Sequence, residues 1–207
     1  MITQPVTLEG LSLNTGSNPV VTIPKSGLAS GTVAQISAQQ NPDDQSNFGP
    51  VNISNLIVDG SKSGVTCSDT SYLVGLEYSG AYGTLENLEV RNQSPGGCGT
   101  GIRSSAVIDE SSELVIRNNY IHDFDGVRIS IGNTVPSFTI TSNSVASAIG
   151  SGIILDGPGT AANNIISVGG QIGLELGSVY CCDTATYNTI TGAVTGIQID
   201  SDQSPET

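Results

Sequence analysis

The sequence predicts an all-β chain wound as a parallel solenoid of about seven coils, and three observations predict it. An apolar residue, then Leu or Asn three positions on, then a β-branched residue two further on, recurs six times. A Gly-apolar-x-apolar motif follows each recurrence, and no stretch carries a helical period. Two interleaved patterns that agree over six copies make a repeat, where one Gly-Ile pair would mean nothing.

Taken in order, the coils begin with Leu8, Leu11 and Leu13, which fit the register and give a seventh copy at the N-terminus. Residues 20–23 and 31–36 then read as strands, and 41–50 as a polar loop. The six firm copies are Ile53-Leu56-Val58, Leu85-Leu88-Val90, Ile116-Asn119-Ile121, Ile140-Asn143-Val145, Ala161-Asn164-Ile166 and Ala185-Asn188-Ile190. Their middle positions are separated by 32, 31, 24, 21 and 24 residues. The second motif supplies Gly75-Leu76, Gly101-Ile102, Gly126-Val127, Gly152-Ile153, Gly173-Leu174 and Gly196-Ile197. Alternation within each piece is that of a short strand with one buried face, so Ile153 points inward and Ile154 outward. Three such strands complete one coil.

Stacking coils about 4.7–4.9 Å apart turns the inward Val, Ile and Leu into continuous apolar rows. Asn119, Asn143, Asn164 and Asn188 interrupt one row. A carboxamide both donates and accepts, so Asn above Asn satisfies its neighbour and the turn backbone, an asparagine ladder. The other reading has the four amides lining a ligand channel.

Nineteen acids against six Lys and Arg leave a net charge of −13, which argues against nucleic acid and anionic membrane surfaces as partners. No stretch approaches the length of a membrane span. Four cysteines in a Ser/Thr-rich, Lys-poor chain point to an oxidising compartment, extracellular or periplasmic, and Met1 opens no basic-apolar leader.

The Asn row at a turn, the Gly-[Ile/Val/Leu]-x-[Ile/Leu] strand and the coil length resemble right-handed parallel β-helix repeat proteins of the pectate-lyase-like superfamily, over residues 51–200. The resemblance implies three sheets, with the Gly-Ile-x-Ile strand in the sheet that carries polysaccharide clefts in the family's enzymes. The opening TQPVTLEG is similar to a line found one coil into such domains. That implies one β-helix domain over 1–207, lacking an N-terminal coil and cap. Asp125-Gly126-Val127-Arg128-Ile129 is similar to pieces of polygalacturonase-type hydrolases, but Ser130 stands where those carry Lys and His122 is not followed by Gly. The resemblance therefore transfers no activity.

Candidate sites come from stacking the outward residues of the Gly-apolar-x-apolar strands: Glu77, Arg103, Arg128, Ile154, Glu175, Gln198. Glu77 is expected to pair with Arg103. Arg103 beside Arg128 calls for an anion, since like charges on neighbouring strands repel. Asp125 is the internal candidate and a uronate carboxylate the external one. The expectation is an acidic-sugar site with Glu77, Arg103 and Arg128 as binding residues. His122, Asp125 and Arg128 are its candidate catalytic groups, and the loops of Cys67 and Cys98 its wall. The alternative is that Asp123 and Asp125 bond turn amides while Arg128 pairs with them.

Cys67 and Cys98 lie in equivalent connections of adjacent coils, which predicts a disulfide; Cys181 and Cys182 are a vicinal disulfide or two thiols. No cofactor is called for, although Asp43-Asp44 and Asp109-Glu110 with Glu113 offer oxygen ligands to Ca²⁺. Thr139/Thr141 and Thr184/Thr186 are Thr-x-Thr pairs that invite an ice-binding reading but are read as not stacking into an array. The leading reading is a module that engages polysaccharide. A structural or adhesive solenoid, and a lyase, epimerase or hydrolase fragment, are the rivals. Open solenoid ends predict end-to-end self-association, or a longer native protein.

Overall fold

The computed structural model describes residues 6–10, 18–22, 32–39, 49–61, 72–93, 99–105, 112–124, 126–132, 137–147, 149–177 and 183–200. Twenty-one strands form three parallel seven-stranded sheets, each coil giving one strand to each sheet. This is a right-handed parallel β-helix of seven coils. Sheet one holds β1 (Val6–Glu9), β4 (Val51–Ser54), β7 (Gly83–Glu86), β10 (Leu114–Arg117), β13 (Phe138–Thr141), β16 (Gly159–Ala162) and β19 (Asp183–Thr186). Sheet two holds β2 (Val20–Thr22), β5 (Ile57–Asp59), β8 (Glu89–Arg91), β11 (Tyr120–His122), β14 (Ser144–Ser147), β17 (Ile165–Val168) and β20 (Thr189–Thr191). Sheet three holds β3 (Thr32–Gln39), β6 (Tyr72–Ser79), β9 (Thr100–Ser105), β12 (Ile129–Ile131), β15 (Ile153–Leu155), β18 (Ile172–Gly177) and β21 (Thr195–Asp200).

The rows expected from the repeat are the rows of the core. Ile53, Leu85, Ile116, Ile140, Ala161 and Ala185 are in register down sheet one. Val58, Val90, Ile121, Val145, Ile166 and Ile190 are in register down sheet two. Between them the chain turns sharply, and the residue before each middle position takes a left-handed conformation: Asn55, Asn87, Asn118, Ser142, Asn163 and Tyr187, with φ of 54–58°. Asn tolerates that region better than most residues, so the Asn richness before the turn has a backbone cause. At the turn itself the carboxamides bond from coil to coil. Nδ2 of Asn119 donates to Oδ1 of Asn143 at 3.0 Å, Asn143 to Asn164 at 3.0 Å, and Asn164 to Asn188 at 2.9 Å. Each Oδ1 also accepts a backbone N–H of the preceding coil.

Three expectations are corrected. In the first coil Leu8 does pair with Ile53, but Val21, not Leu13, sits beside Val58, and Ile57 N–H bonds Pro19 O as later strands bond the middle residue. Leu11 and Leu13 lie outside the described residues. In the fourth coil the inward partner of Ile102 and Ile153 is Ile129, two residues beyond Val127. A two-residue period cannot distinguish frames two residues apart, so Gly126-Val127-x-Ile129 looked as good as the true frame. Gly126 is required for another reason: a Cβ there would fall 1.7 Å from Gly99 O. Finally, Thr139, Thr160 and Thr184 are in register, as are Thr141, Ala162 and Thr186, so the Thr-x-Thr pairs do stack.

Candidate functional site

On sheet three the frame shift rewrites the outward row, which runs Glu77, Arg103, Ser130, Ile154, Glu175, Gln198. Arg103 and Glu77 do pair, Nε lying 3.1 Å from Oε1 with Nη2 on the same oxygen. The second arginine is not there. Arg128 occupies the place held elsewhere by Gly75, Gly101, Gly152, Gly173 and Gly196, at the bend where the strand begins. A Cβ on Gly101 would lie 2.7 Å from Ile121 Cγ2, which shows that this place faces the crowded interior. Arg128 is accordingly fully buried. Its Nε donates to Ala146 O at 2.8 Å, Nη1 donates to Gly126 O, and its guanidinium carbon lies 3.8 Å from the centre of the Phe124 ring. It pins the turn from inside the coil and does not lie on the outer face, where the sequence reading expected it among the binding and catalytic groups.

Farther along sheet three, the carboxyl groups of Asp156, Glu175 and Asp200 gather. Burial, then Asp200, pushes the carboxyls of Asp156 and Glu175 above their ordinary range. Asp156 lies against Gly177, where a Cβ would come within 2.1 Å of its Oδ1.

His122 faces outward from sheet two. Its ring stacks on Tyr120 at 3.9 Å, Nε2 lies 3.2 Å from Glu89 Oε1, and Nδ1 lies 2.8 Å from Asp123 Oδ2. Arg91 extends the network, bonding Asp59 at 3.0 Å and Glu89 at 2.6 Å. Burial raises the Asp59 carboxyl, but bonds from Ser61, Asn92 and Arg91 outweigh it and hold the group at about 2. Both ring nitrogens of His122 are thus engaged within the protein. Asp125 lies outside the described residues, as do Cys67, Cys98, Cys181, Cys182, Asp43, Asp44, Asp109 and Glu110. Glu113 accepts the Thr139 hydroxyl. Among the described residues no group of three His, Cys, Asp or Glu is arranged to hold a metal.

Sheet one carries a depression that the repeat pattern did not point to. A pocket of about 220 Å³ opens on its outer face, lined by Asn52, Ile53, Ser54, Thr84, Glu86 and Arg117. Beside it β4 and β7 stay close, Val51 N–H bonding Tyr82 O at 2.9 Å, but their ladder is interrupted between the two ends. Pairing covers only Ile53–Leu85 and Ser54–Glu86, and the Asn52 carboxamide fills the gap by accepting Thr84 N–H at 3.0 Å. Gly83, with φ of 128°, lies so close to Val51 that a Cβ there would fall 2.2 Å from Val51 O. Arg117 Nη2 bonds Glu86 Oε2 at 2.8 Å, and this guanidinium holds the Glu86 carboxyl below its usual range. The lining thus presents an amide, two hydroxyls, a carboxylate and a guanidinium on a rigid sheet. Sheet one entered the sequence reading only through its Thr-x-Thr pairs and Glu113. A signal was present in the outward positions Asn52, Ser54, Thr84 and Glu86, which alternate with the buried row.

The family described as right handed beta helix region matches residues 41–206. No curated protein and no solved structure matches the chain significantly. No helix among the described residues is long and apolar enough to cross a membrane.

Proposed function

This chain belongs to the right-handed β-helix family, and from that premise we propose that it is a carbohydrate-binding module whose site is the outer face of sheet one. The observation that carries the reading is the pocket of Asn52, Ser54, Thr84, Glu86 and Arg117. Its 220 Å³ is smaller than the roughly 300–1,000 Å³ of drug-sized sites and suits one sugar ring. Its donors and acceptors are the groups that read hydroxyls.

The ligand in this reading is uncharged. Among the described residues every arginine on an outer face is already bonded to a carboxylate: Arg91 to Asp59 and Glu89, Arg103 to Glu77, Arg117 to Glu86. A uronate would have to displace one of these, and the chain's net charge of −13 opposes its approach. The earlier acidic-sugar site also needed Arg128 at the surface. We place the module outside the cytoplasm, extracellular or periplasmic, on the strength of its four cysteines and Ser/Thr-rich composition. A Cys67–Cys98 disulfide, visible as a linked pair in non-reduced peptide mapping, belongs to the same reading.

The test is a glycan array of neutral and acidic oligosaccharides probed with this chain and with Ser54→Trp, which fills the pocket from an outward position. Neutral glycans should bind the first and not the second. If no glycan binds, the solenoid is a scaffold, a reading favoured by the same coil-to-coil ion pairs.

A further inference from the structure

The pocket is one end of a longer surface. Reading outward positions of sheet one along the axis, one row runs Asn52, Thr84, Val115, Thr139, Thr160, Thr184. Thr84 stands opposite Asn52 through the bond between them. The second row runs Ser54, Glu86, Arg117, Thr141, Ala162, Thr186. From β13 onward these two rows hold only Thr and Ala, and Glu86 and Arg117 cancel one another where the rows meet the pocket. The face is therefore a track whose charges are paired with one another: β4, β13 and β19 each present two small polar groups, β7 and β16 one Thr hydroxyl, and β10 the Arg117 guanidinium beside Val115.

Adjacent parallel strands lie about 4.7–4.9 Å apart, so the outward positions repeat at that interval along the axis. A β-(1→4)-linked chain of pyranose rings is an extended ribbon whose rise per sugar is close to that interval. Resting on the carbohydrate reading above, we propose that the ligand is an uncharged β-(1→4)-linked polysaccharide lying parallel to the solenoid axis on sheet one. One sugar sits per coil, from the pocket at β4 and β7 to the threonines of β19.

The track matches a two-dimensional hydroxyl lattice less well. Val115 and the Glu86–Arg117 pair interrupt it, and the Thr139 hydroxyl is engaged by Glu113. A ribbon tolerates such interruptions because each sugar is read separately. An ice plane does not.

The experiment titrates cello-, xylo-, manno- and chito-oligosaccharides of two to eight units into this chain and into Thr160→Arg. That variant sets a long charged side chain across the sixth coil from an outward position. Affinity for one series should rise by about a hundredfold from the disaccharide to the hexamer and then level off, as added subsites act intramolecularly. In Thr160→Arg, with an unchanged melting curve, the rise should stop near the tetramer while the disaccharide binds as before. Equal affinity at all lengths, or a rise untouched by Thr160→Arg, would overturn the track and leave the pocket as a one-sugar site. Binding of only other glycans on the array would overturn the linkage class alone. No binding by any glycan, with thermal hysteresis that Thr160→Arg abolishes, would overturn both readings in favour of ice.

Discussion

At the scale of single residues, the two arginines Arg117 and Arg128 show how little charge alone says about role. Arg117 is half exposed and bonds Glu86 across coils, the kind of pair worth about 0–1 kcal/mol. Arg128 is fully buried against Phe124 and bonds two backbone carbonyls. Arg128→Ala should therefore cost roughly 2–5 kcal/mol, since charged bonds are lost and carbonyls are left buried, whereas Arg117→Ala should barely move the denaturant midpoint. Comparable midpoints for the two would contradict the burial of Arg128. Carboxylates make a matching pair of predictions in pH. Asp59 is held at about 2, below its unfolded value, so its stabilisation is full above the unfolded value and is lost as pH falls through about 2. Asp156 and Glu175 are raised, chiefly by burial and then by Asp200. Their contribution is full below the unfolded carboxylate values and is lost as pH rises through the folded ones. Glu175→Gln should thus raise the melting temperature at pH 7 and leave it unchanged near pH 3. A lower melting temperature at pH 7 would show that the carboxylate is needed there.

Within the element, the unit of stability is the turn joining sheet one to sheet two with the strands it sets. Asn143 is 1% exposed; its carboxamide accepts from Asn119 and donates to Asn164 and to Ile116 O. Asn143→Leu should orphan buried donors and acceptors on both sides, at about 1–3 kcal/mol per group. Asn188→Leu, at the edge, should cost less. Leu56 and Leu88 hold the same place in earlier coils, so leucine fits sterically and the difference isolates the hydrogen bonds. For the strands, Ile153 is fully buried while Ile154 lies on the outer face. Ile153→Asp should lose at least about 3 kcal/mol by burying an unpaired charge, and Ile154→Asp should be mild. Equal unfolding midpoints would break the register of β15. These inward rows were legible because burial repeats with the strand period. The frame of β12 was not, because Gly126 and Gly101 are both required by close backbone approach but at different points of the coil.

For the molecule as a whole, the described ends of the solenoid bear on assembly. Ile197 and Ile199 continue the rows of Leu174 and Leu176, yet are 52% and 70% exposed, and β19, β20 and β21 are edge strands among the described residues. At the other described end Leu8, in register with Ile53, is 37% exposed. Unpaired parallel edges over apolar rows favour strand addition, so this chain should associate end to end, with mass rising with concentration in light scattering. A constant monomer mass at high concentration would exclude it. By itself the sequence determined the coil, the three-strand period, the inward rows of sheets one and two from the second coil on, and the four stacked asparagines, because each of these is a local pattern that recurs from coil to coil. Tertiary structure alone decided which outward residues meet. That depends on register between coils separated by 21 to 32 residues, with loops of unequal length between them. A two-residue error in one loop carried Arg128 from an outer face to the interior. Threonines that looked isolated in the sequence became neighbours once Thr160 was seen between them. The outer faces of a solenoid are made by register between coils, and for outward residues the repeat pattern carries no burial signal that fixes it.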